Sequence, residues 1–434
     1  MIAVSTIDAP TAPKIINDVQ KVETLIIGAG VVGSSLAMHL AEMGMKNIRV
    51  LDFDLEGSLS SSELNAGGVR ATWNKPLNVE LSKFSIDYYA KVASEVGYRD
   101  CGYVWLYTEE APAAKLKSQL DRTAGGWPAE IWDIAELKKR LSFVDKTEGI
   151  ACALSTPRDG LINPNLLKNY FRSQARARGV VFDDRTLVTE VNYSSQKGPF
   201  VHRKSIHVVA QSFESVMSHE TKVEVLSSQK ENFGRRRIEY HAERLVNCAG
   251  PWAAQVAKLM HYPCPSVPLR RQVSVFDCRE VDLSHYGMIV DTSGVYFHPE
   301  ATNGLAGFAN RGEPPSVNFT YDGEDFFNEY IWPALYERST YFERLKHLTG
   351  WAGLYEVSPD ESAIIGLVET GDAKKSGQVF EAHSFSGHGV MQSYGAGFAL
   401  AEKIVKGMYE KFDLSELSGK RFEEGKEFRE DLII

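Results

Sequence analysis

The chain has 434 residues, which is too long for one ordinary hydrophobic core and suits two interleaved domains. Lys and Arg number 48 against 57 Asp and Glu, and the formal net charge of −9 offers no basic surface for a nucleic-acid partner. The five cysteines form no CxxC pair, a usage that favours reduced thiols in a cytoplasmic protein over a disulfide framework or a zinc site. We therefore expect no nucleic acid and no metal.

Residues 1–20 contain neither a basic first segment nor a continuous apolar run, so we expect a disordered extension and not a signal peptide or an anchor. Elsewhere, no apolar run approaches the roughly twenty residues that a membrane-spanning helix needs. The sequence thus predicts no transmembrane segment, and it carries no pattern from which an oligomeric state follows.

The strongest local pattern is a strand, a glycine-rich turn and a helix. Val22–Ile27 is predicted as an apolar strand, and the turn GAGVVG follows it. Gly28 permits the tight turn, Gly30 lets a pyrophosphate approach the backbone, and Gly33 lets the helix pack closely on the strand. The N-terminus of the helix would then face the phosphates of a dinucleotide.

A second predicted strand, Asn47–Leu51, ends in Asp52. This carboxylate lies about twenty residues past the glycine turn, where an acidic side chain accepts hydrogen bonds from a ribose diol. A glycine turn by itself is common for purely structural reasons, but strand, turn, helix, second strand and acid together predict dinucleotide binding. The pattern does not separate FAD from NAD.

Five later segments carry a family resemblance. They are SSSELNAGGVR (60–70), DGLINP (159–164), RLVNCAGPW (244–252), WAGLYE with a following PD (351–360) and SFSGHG (384–389). In this order they resemble the D-amino-acid oxidase (DAO) superfamily of FAD-dependent oxidoreductases, in particular its glycine oxidase, sarcosine oxidase and dimethylglycine dehydrogenase branch. The resemblance extends from about Val22 to Gly407 and implies that the dinucleotide is FAD.

The resemblance implies an α/β fold, α+β overall, in which a Rossmann-like FAD-binding domain is interleaved with a substrate domain of mainly antiparallel sheet. The FAD-binding domain would comprise residues 21–87, 161–210, 241–262 and 353–412, and the substrate domain residues 88–160 and 263–352. Residues 211–240 would form a polar insertion, expected as a solvated hairpin, and residues 413–434 a C-terminal tail.

The resemblance also assigns cofactor contacts. Gly353 stands at the position of the cysteine that tethers flavin in the monomeric sarcosine oxidases, so we expect noncovalent FAD. The complete set of expected FAD-binding residues is Gly28, Ala29, Gly30, Val31, Val32, Gly33, Asp52, Ser60, Ser61, Ser62, Asn65, Ala66, Gly67, Gly68, Val188, Cys248, Ala249, Gly250, Trp252, Gly353, Gly387, His388, Gly389, Val390 and Met391.

Four residues are candidates for catalytic contacts on the substrate side of the flavin. Arg70 resembles a basic residue near the flavin of sarcosine oxidase-like enzymes; the alternative is a salt-bridged loop arginine. Tyr296 and Tyr355 occupy positions of active-site tyrosines in the family; the alternative is that both are core aromatics. His388 is expected as a flavin contact and not as a base, and its alternative role is to satisfy backbone carbonyls.

Two lysines of the family have no counterpart in this chain. The segment GLAGFA (304–309) carries no basic residue that could activate oxygen, and Met391 replaces the lysine used for the substrate carboxylate. A larger or less acidic amine therefore fits better than sarcosine itself. A quinone or a carrier protein joins dioxygen as a candidate electron acceptor.

These features predict an enzyme that oxidises a C–N bond of a small amine or amino acid, with secondary or N-substituted amino acids favoured. Hydride transfer to flavin N5 would be followed by hydrolysis of the imine product. Two other hypotheses stay open. The chain could be an FAD-binding assembly or interaction protein with little turnover, or it could modify an aminomethyl uridine of tRNA, against which the acidic charge balance counts.

Overall fold

Two large β-sheets and the helices around them form the computed structural model, which describes residues 14–123, 125–197, 202–214, 216–228, 236–369 and 378–432. In chain order the strands are β1 (Lys14–Ile27), β2 (Ile48–Leu51), β3 (Gly68–Val69), β4 (Tyr103–Tyr107), β5 (Glu130–Trp132), β6 (Cys152–Thr156), β7 (Gly160–Leu161), β8 (Val181–Asp183), β9 (Thr186–Lys197), β10 (His202–Ser212), β11 (Arg236–Asn247), β12 (Val267–Asp277), β13 (Met288–Val290), β14 (Val295–Glu300), β15 (Asn303–Phe308), β16 (Lys346–Val357), β17 (Ile364–Leu367) and β18 (Val379–His383). The α-helices are α1 (Val31–Glu42), α2 (Pro76–Lys91), α3 (Ala93–Val96), α4 (Glu110–Arg122), α5 (Ile134–Arg140), α6 (Pro164–Ala177), α7 (His219–Ser228), α8 (Ala253–Leu259), α9 (Gly323–Phe326), α10 (Trp332–Tyr336), α11 (Gly389–Lys406) and α12 (Lys420–Glu423).

The first sheet has a parallel centre with the strand order β18-β11-β1-β2-β8. β17 pairs antiparallel with β18, and the antiparallel pair β9 and β10 joins through β11. The second half of β1 reads VETLII and is mostly buried, as expected for a strand covered on both faces. The carboxyl ends of β1, β2 and β11 meet at one edge, where α/β sheets generally bind ligands.

Helix α1 packs on the first sheet, and α6 packs against α1. α1 is buried along its length and packs against α6 and α11, which explains why its sequence is apolar on nearly every side. Asn163 caps the N-terminus of α6, because its side chain accepts hydrogen bonds from the backbone N–H groups of Asn165 and Leu166, and Pro164 is the first residue of the helix. The DGLINP segment is thus a short strand that leads into a capped helix.

The second sheet has the order β16-β12-β15-β14-β13-β4-β6-β5 and is antiparallel except where β13 pairs with β4. Because side chains alternate along a strand, Tyr296 and Phe297 point to opposite faces of this sheet. Phe297 packs with Phe276 and Phe342 in a separate hydrophobic core. Tyr296 faces the other way, toward the first sheet. The architecture confirms the predicted fold class, whereas the exact domain limits stay predictions.

The structure differs from expectation at the N-terminus. Residues 14–20, expected within a disordered extension, form the beginning of β1 and pair with β11, with Lys14 opposite Arg236 and Val19 opposite Glu239. The parallel partner strand explains the difference, because it supplies hydrogen bonds that no local sequence pattern reveals. The rest of the expected extension, residues 1–13, lies outside the described residues.

The expected polar insertion also differs from a simple solvated hairpin. β10 and β11 do pair antiparallel, but α7 lies in the connection between them. Val225 of α7 is fully buried, so this helix packs on the rest of the chain. Residues 215 and 229–235 of this segment lie outside the described residues.

The expected C-terminal tail is packed against the molecule over its described part. Arg421 forms a buried ion pair with Asp360, with 2.7 Å between Nε and Oδ2. Farther on, the buried carboxylate of Glu430 accepts hydrogen bonds from the backbone N–H groups of Asn74 and Lys75. These contacts bring the end of the chain beside the loop that follows Arg70.

Candidate active site

The carboxyl ends of β1, β2 and β11 open onto a cavity of about 310 Å³. Gly28 has a φ of +102°, and a Cβ at this position would overlap the carbonyl oxygen of Cys248. A Cβ at Gly33 would overlap the carbonyl oxygen of Gly28, so both glycines are required by close backbone packing. Gly30 lines the cavity directly, at the N-terminus of α1. The turn therefore leaves its backbone accessible to a bound phosphate.

Asp52 lines the same cavity at the end of β2. Its Oδ2 atom accepts a hydrogen bond from the Ala29 N–H at 2.6 Å, and its Oδ1 atom accepts one from the Asp54 N–H at 2.8 Å. Burial raises the pKa of this carboxyl, and the two backbone N–H groups act in the opposite direction. Asp52 thus ties the glycine turn to the second strand and presents its carboxyl group to the cavity.

The loop of residues 60–70 is fixed both to α1 and to the second sheet. The Ser62 hydroxyl oxygen accepts a hydrogen bond from the Val31 N–H at 3.0 Å, at the start of α1. The Ser61 hydroxyl donates to the carbonyl oxygen of Leu354 in β16 at 2.5 Å. These bonds hold the loop at the boundary between the cavity and the second sheet.

Most expected cofactor contacts gather around the larger cavity, whose lining includes Gly28, Gly30, Val31, Val32, Asp52, Ser60, Ser61, Ser62, Asn65, Val188, Cys248, Ala249, Gly250, Trp252, Gly387, Gly389 and Val390. Five others line an adjoining smaller cavity, namely Ala66, Gly68, Gly353, His388 and Met391. Ala29, Gly33 and Gly67 line neither cavity and instead shape the backbone. Gly67 has a φ of +81°, and its carbonyl oxygen accepts the Ile162 N–H at 2.8 Å.

Helix α7 contributes to the larger cavity, which was not predicted from the sequence. Val225 and Leu226 line it from this helix. On the preceding turn, Lys222 Nζ donates to Asp54 Oδ2 at 2.7 Å and to the Ser58 hydroxyl at 2.9 Å. The feature of the sequence that could have indicated this packing is VEVL (223–226), which places three apolar residues inside an otherwise polar segment. α7 therefore closes one side of the cavity and is held there by an ion pair.

A smaller cavity of about 60 Å³ adjoins the first and shares four lining residues with it, Ser61, Asn65, Tyr355 and Gly387. It lies between the 60–70 loop, the N-terminus of α11 and the face of the second sheet that carries Tyr296. All four candidate substrate-side residues line it, namely Arg70, Tyr296, Tyr355 and His388. Seven lining residues were not selected from the sequence, and two of these, Tyr103 and Arg271, carry a phenol and a guanidinium group.

Arg70 is buried between two indole rings. Its guanidinium carbon lies 3.6 Å from the ring centroid of Trp73 and 4.8 Å from that of Trp105. Its two terminal nitrogens donate to the carbonyl oxygens of Thr72 and Leu432. No carboxylate forms an ion pair with it within the described ranges, so the salt-bridged alternative is not what the structure shows. Burial lowers the pKa of this arginine, but guanidinium stays protonated in proteins.

His388 is the N-cap of α11 and is fully enclosed. Its ring lies 4.1 Å from that of Trp73 in an edge-on arrangement. Burial, together with the nearby charge of Arg70, holds the pKa of His388 well below its usual value, so the imidazole is neutral. Neither ring nitrogen has a hydrogen-bond partner in the part of the chain that the structure describes, so the residue does not serve backbone carbonyls.

Tyr296 and Tyr355 bring phenol rings to the smaller cavity from β14 and β16. Burial raises the pKa of both hydroxyl groups, so each stays protonated. Tyr355 also packs against Gly387, where a Cβ would lie 2.6 Å from its ring atom Cε2. The glycine at this turn thus allows α11 and the second sheet to approach each other.

The donor set around the larger cavity fits FAD. Its lining includes Trp252, whose indole Nε1 is buried and lacks a hydrogen-bond partner among the described residues. At Gly353, an added Cβ would lie 2.9 Å from Leu64 Cβ, which leaves little room for a tethering side chain. Asp52 would hold the ribose, and the N-terminus of α1 the pyrophosphate.

The described residues contain no group of three or more His, Cys, Asp or Glu side chains placed to hold a metal ion. Nor does any described helix combine the length and the apolar character needed to cross a membrane. The expected cytoplasmic location and the expected lack of a metal stay predictions.

The sequence matches the profile of the family described as DAO, FAD dependent oxidoreductase, over residues 23–403. FAD-dependent oxidoreductase domain-containing protein 1 from Xenopus laevis is 28% identical over 440 residues, which cover 93% of this chain and 83% of that protein. Mitochondrial dimethylglycine dehydrogenase from Homo sapiens is 26% identical, over 93% of this chain but only 44% of its own length.

A solved structure of another protein has the same fold. L-proline dehydrogenase from P. horikoshii matches with a TM-score of 0.76 and 22% sequence identity, covering 94% of this chain and 100% of that one. At this identity the likeness concerns the fold.

Proposed function

The chain belongs to the DAO family of FAD dependent oxidoreductases, and from this premise we propose that it oxidises a C–N bond of a small amine or amino acid, with N-substituted amino acids favoured. FAD as cofactor and an oxidoreductase activity follow from the family, as the sequence predicts. When bound, FAD supplies the hydride acceptor, and the oxidised substrate leaves as an imine that water hydrolyses. One relative is named for an N-methylated amino acid, dimethylglycine, which supports this choice of substrate class.

The observation that carries the proposal is the arrangement of the two cavities. The larger one has the glycine turn and Asp52 along its wall, and the smaller one collects Arg70, Tyr296, Tyr355 and His388. These four side chains come from distant parts of the sequence, yet all of them reach one space beside the expected flavin position. Its modest size suits a small substrate.

The side chains of this site can orient a substrate without a charged base. The pKa of His388 is held well below its usual value, which makes its imidazole a weak base, and both tyrosine hydroxyls are protonated, so these groups offer hydrogen bonds more readily than they abstract a proton. The N-terminus of α11 lies between the cavities and has no acidic residue in its first turn. Its partial positive charge stabilises negative charge that develops nearby during reduction.

The proposal is tested by anaerobic mixing of the flavin-loaded protein with a panel of N-methyl, cyclic and D-amino acids. Reduction by at least one member is expected, seen as loss of the visible absorption of oxidised flavin. If every member leaves the spectrum unchanged while dithionite reduces the flavin, the proposed activity is wrong and a binding or assembly role is favoured. Dioxygen, a quinone and a carrier protein are then compared as acceptors by the rate of flavin reoxidation.

A further inference from the structure

Two consecutive arginines on β12 have opposite environments. Side chains alternate along a strand, so Arg270 and Arg271 point to opposite faces of the second sheet. Arg270 pairs with Glu313 at 2.7 Å and with Asp322 at 2.9 Å. Arg271 faces the smaller cavity, and no acidic side chain within the described ranges forms an ion pair with it. The charge of Arg270 is neutralised by the protein, whereas that of Arg271 is not.

The hydrogen-bonding capacity of Arg271 is also largely unused. One terminal nitrogen donates to the carbonyl oxygen of Arg270 at 3.0 Å, while Nε is buried without a partner. The guanidinium carbon lies 5.3 Å from the ring centroid of Tyr355. Arg271 is half-buried, and a guanidinium that lacks both a counter-charge and a partner for its buried Nε is unfavourable unless a ligand supplies them.

Arg70, the other cation of the cavity, is differently placed. Its terminal nitrogens are already bonded to the carbonyl oxygens of Thr72 and Leu432, and two indole rings enclose it. Met391, which the family resemblance places at the position of a lysine, offers no donor. Within the described residues Arg271 makes one hydrogen bond and Arg70 makes two, so Arg271 keeps more of its donors for a ligand.

We propose that Arg271 binds the carboxylate of the substrate, so that the chain acts on amino acids and not on amines without an acid group. The inference rests on the proposed function and names its substrate class. A planar guanidinium matches a carboxylate through two parallel hydrogen bonds, which a lysine cannot provide. The carboxylate receptor is thus on a strand of the second sheet and not at position 391 in the first turn of α11.

The test measures binding and does not need turnover. Flavin-loaded protein is titrated with small carboxylates, such as pyrrole-2-carboxylate and benzoate, and with the matching uncharged amides, and changes in the flavin spectrum report binding. We expect the carboxylates to bind and the amides to bind at least about tenfold more weakly. Arg271→Met should weaken carboxylate binding by about 10- to 100-fold, because charge-assisted hydrogen bonds are lost. Arg271→Lys should give a smaller loss.

Arg270→Met is the matched control, since it removes the same charge from the other face of the same strand, and it should leave carboxylate binding within about threefold of the wild-type value. All variants are compared at equal flavin content, which guards against misfolding. Equal binding of carboxylates by wild type and Arg271→Met, or equal affinity for amides, would overturn the proposal. A protein that binds carboxylates through Arg271 but is reduced by no amino acid would contradict the proposed activity and leave the anion site standing.

Discussion

Arg271 and Gly353 lie directly opposite each other on the antiparallel strands β12 and β16, and both line the smaller cavity. Residues opposite each other in such a pair present their side chains on the same face of the sheet. Gly353, which the family resemblance places at the position of a flavin tether, thus has a cation as its cross-strand neighbour. This arrangement favours noncovalent FAD beside a positively charged substrate cavity.

The first prediction concerns the bond between protein and flavin. We expect acid precipitation of the wild-type protein to release all flavin into the supernatant, because position 353 has no nucleophilic side chain. Gly353→Ala should lower the FAD content of the purified protein, since the new Cβ would lie 2.9 Å from Leu64 Cβ and displace the loop. Flavin that stays in the acid pellet of the wild type would contradict a noncovalent cofactor.

The second prediction separates the function of Tyr355 from its packing. Tyr355→Phe keeps the ring that packs against Gly387 and removes a hydroxyl that faces the cavity. We expect the unfolding temperature to change by less than about 2 °C, because the Tyr355 hydroxyl makes no hydrogen bond to another described residue. The rate of flavin reduction by a substrate should fall by about tenfold or more. An unchanged reduction rate would show that the hydroxyl is not used.

The third prediction concerns α7 as a wall of the cofactor cavity. Lys222→Met removes the ion pair to Asp54, which is mostly shielded from water, and the hydrogen bond to the exposed Ser58. FAD should then dissociate about three- to tenfold faster, measured by the rise of flavin fluorescence after dilution. Glu220→Gln, at an exposed position of the same helix, is the control and should not change this rate. Equal rates for both variants would argue against a role for the helix in retention.

The fourth prediction is a pH dependence from Glu356, a buried carboxyl that lines the larger cavity. Burial raises its pKa to about 7 from an ordinary value of 4.5. Between pH 4.5 and about 7, Glu356 keeps its proton in the folded state and has lost it in the unfolded state. The free energy of unfolding therefore falls as the pH rises through this range. Glu356→Gln should therefore be more stable than wild type at pH 8, by up to about 3 kcal/mol.

The measurement for Glu356 is the unfolding temperature of the apoprotein at pH 5 and at pH 8, for wild type and the Gln variant. The difference between the two proteins should widen toward pH 8. A difference that is the same at both pH values would mean that Glu356 is not protonated in the folded state at neutral pH.

Local backbone requirements made part of this site predictable from the sequence. Gly28 and Gly33 are needed wherever a strand, turn and helix pack this closely, and Asp52 follows at a spacing set by the second strand. The substrate-side residues Arg70, Tyr296, Tyr355 and His388 were reached only through the family resemblance. Their meeting in one cavity depends on two sheets facing each other, which no local pattern encodes.

Other features could not be predicted for identifiable reasons. Arg270 and Arg271 are equivalent in the sequence, and the register of β12 against β16 decides which one faces the cavity. α7 lies in a polar segment and contributes only a few apolar side chains, too few to mark a buried helix. The first residues of β1 are ordered by a partner strand more than 200 positions away in the chain.

The most direct test of the central claim is a single-turnover experiment without oxygen. Flavin-loaded protein is mixed with an excess of the N-substituted or cyclic amino acid that reduces it fastest, and both the reduced flavin and the imine or its carbonyl hydrolysis product are quantified. We predict one equivalent of oxidised product for each flavin reduced, and none from the corresponding amine without a carboxylate. Flavin reduction without such a product, or no reduction by any amino acid, would contradict the assignment of this chain as an amino-acid oxidoreductase.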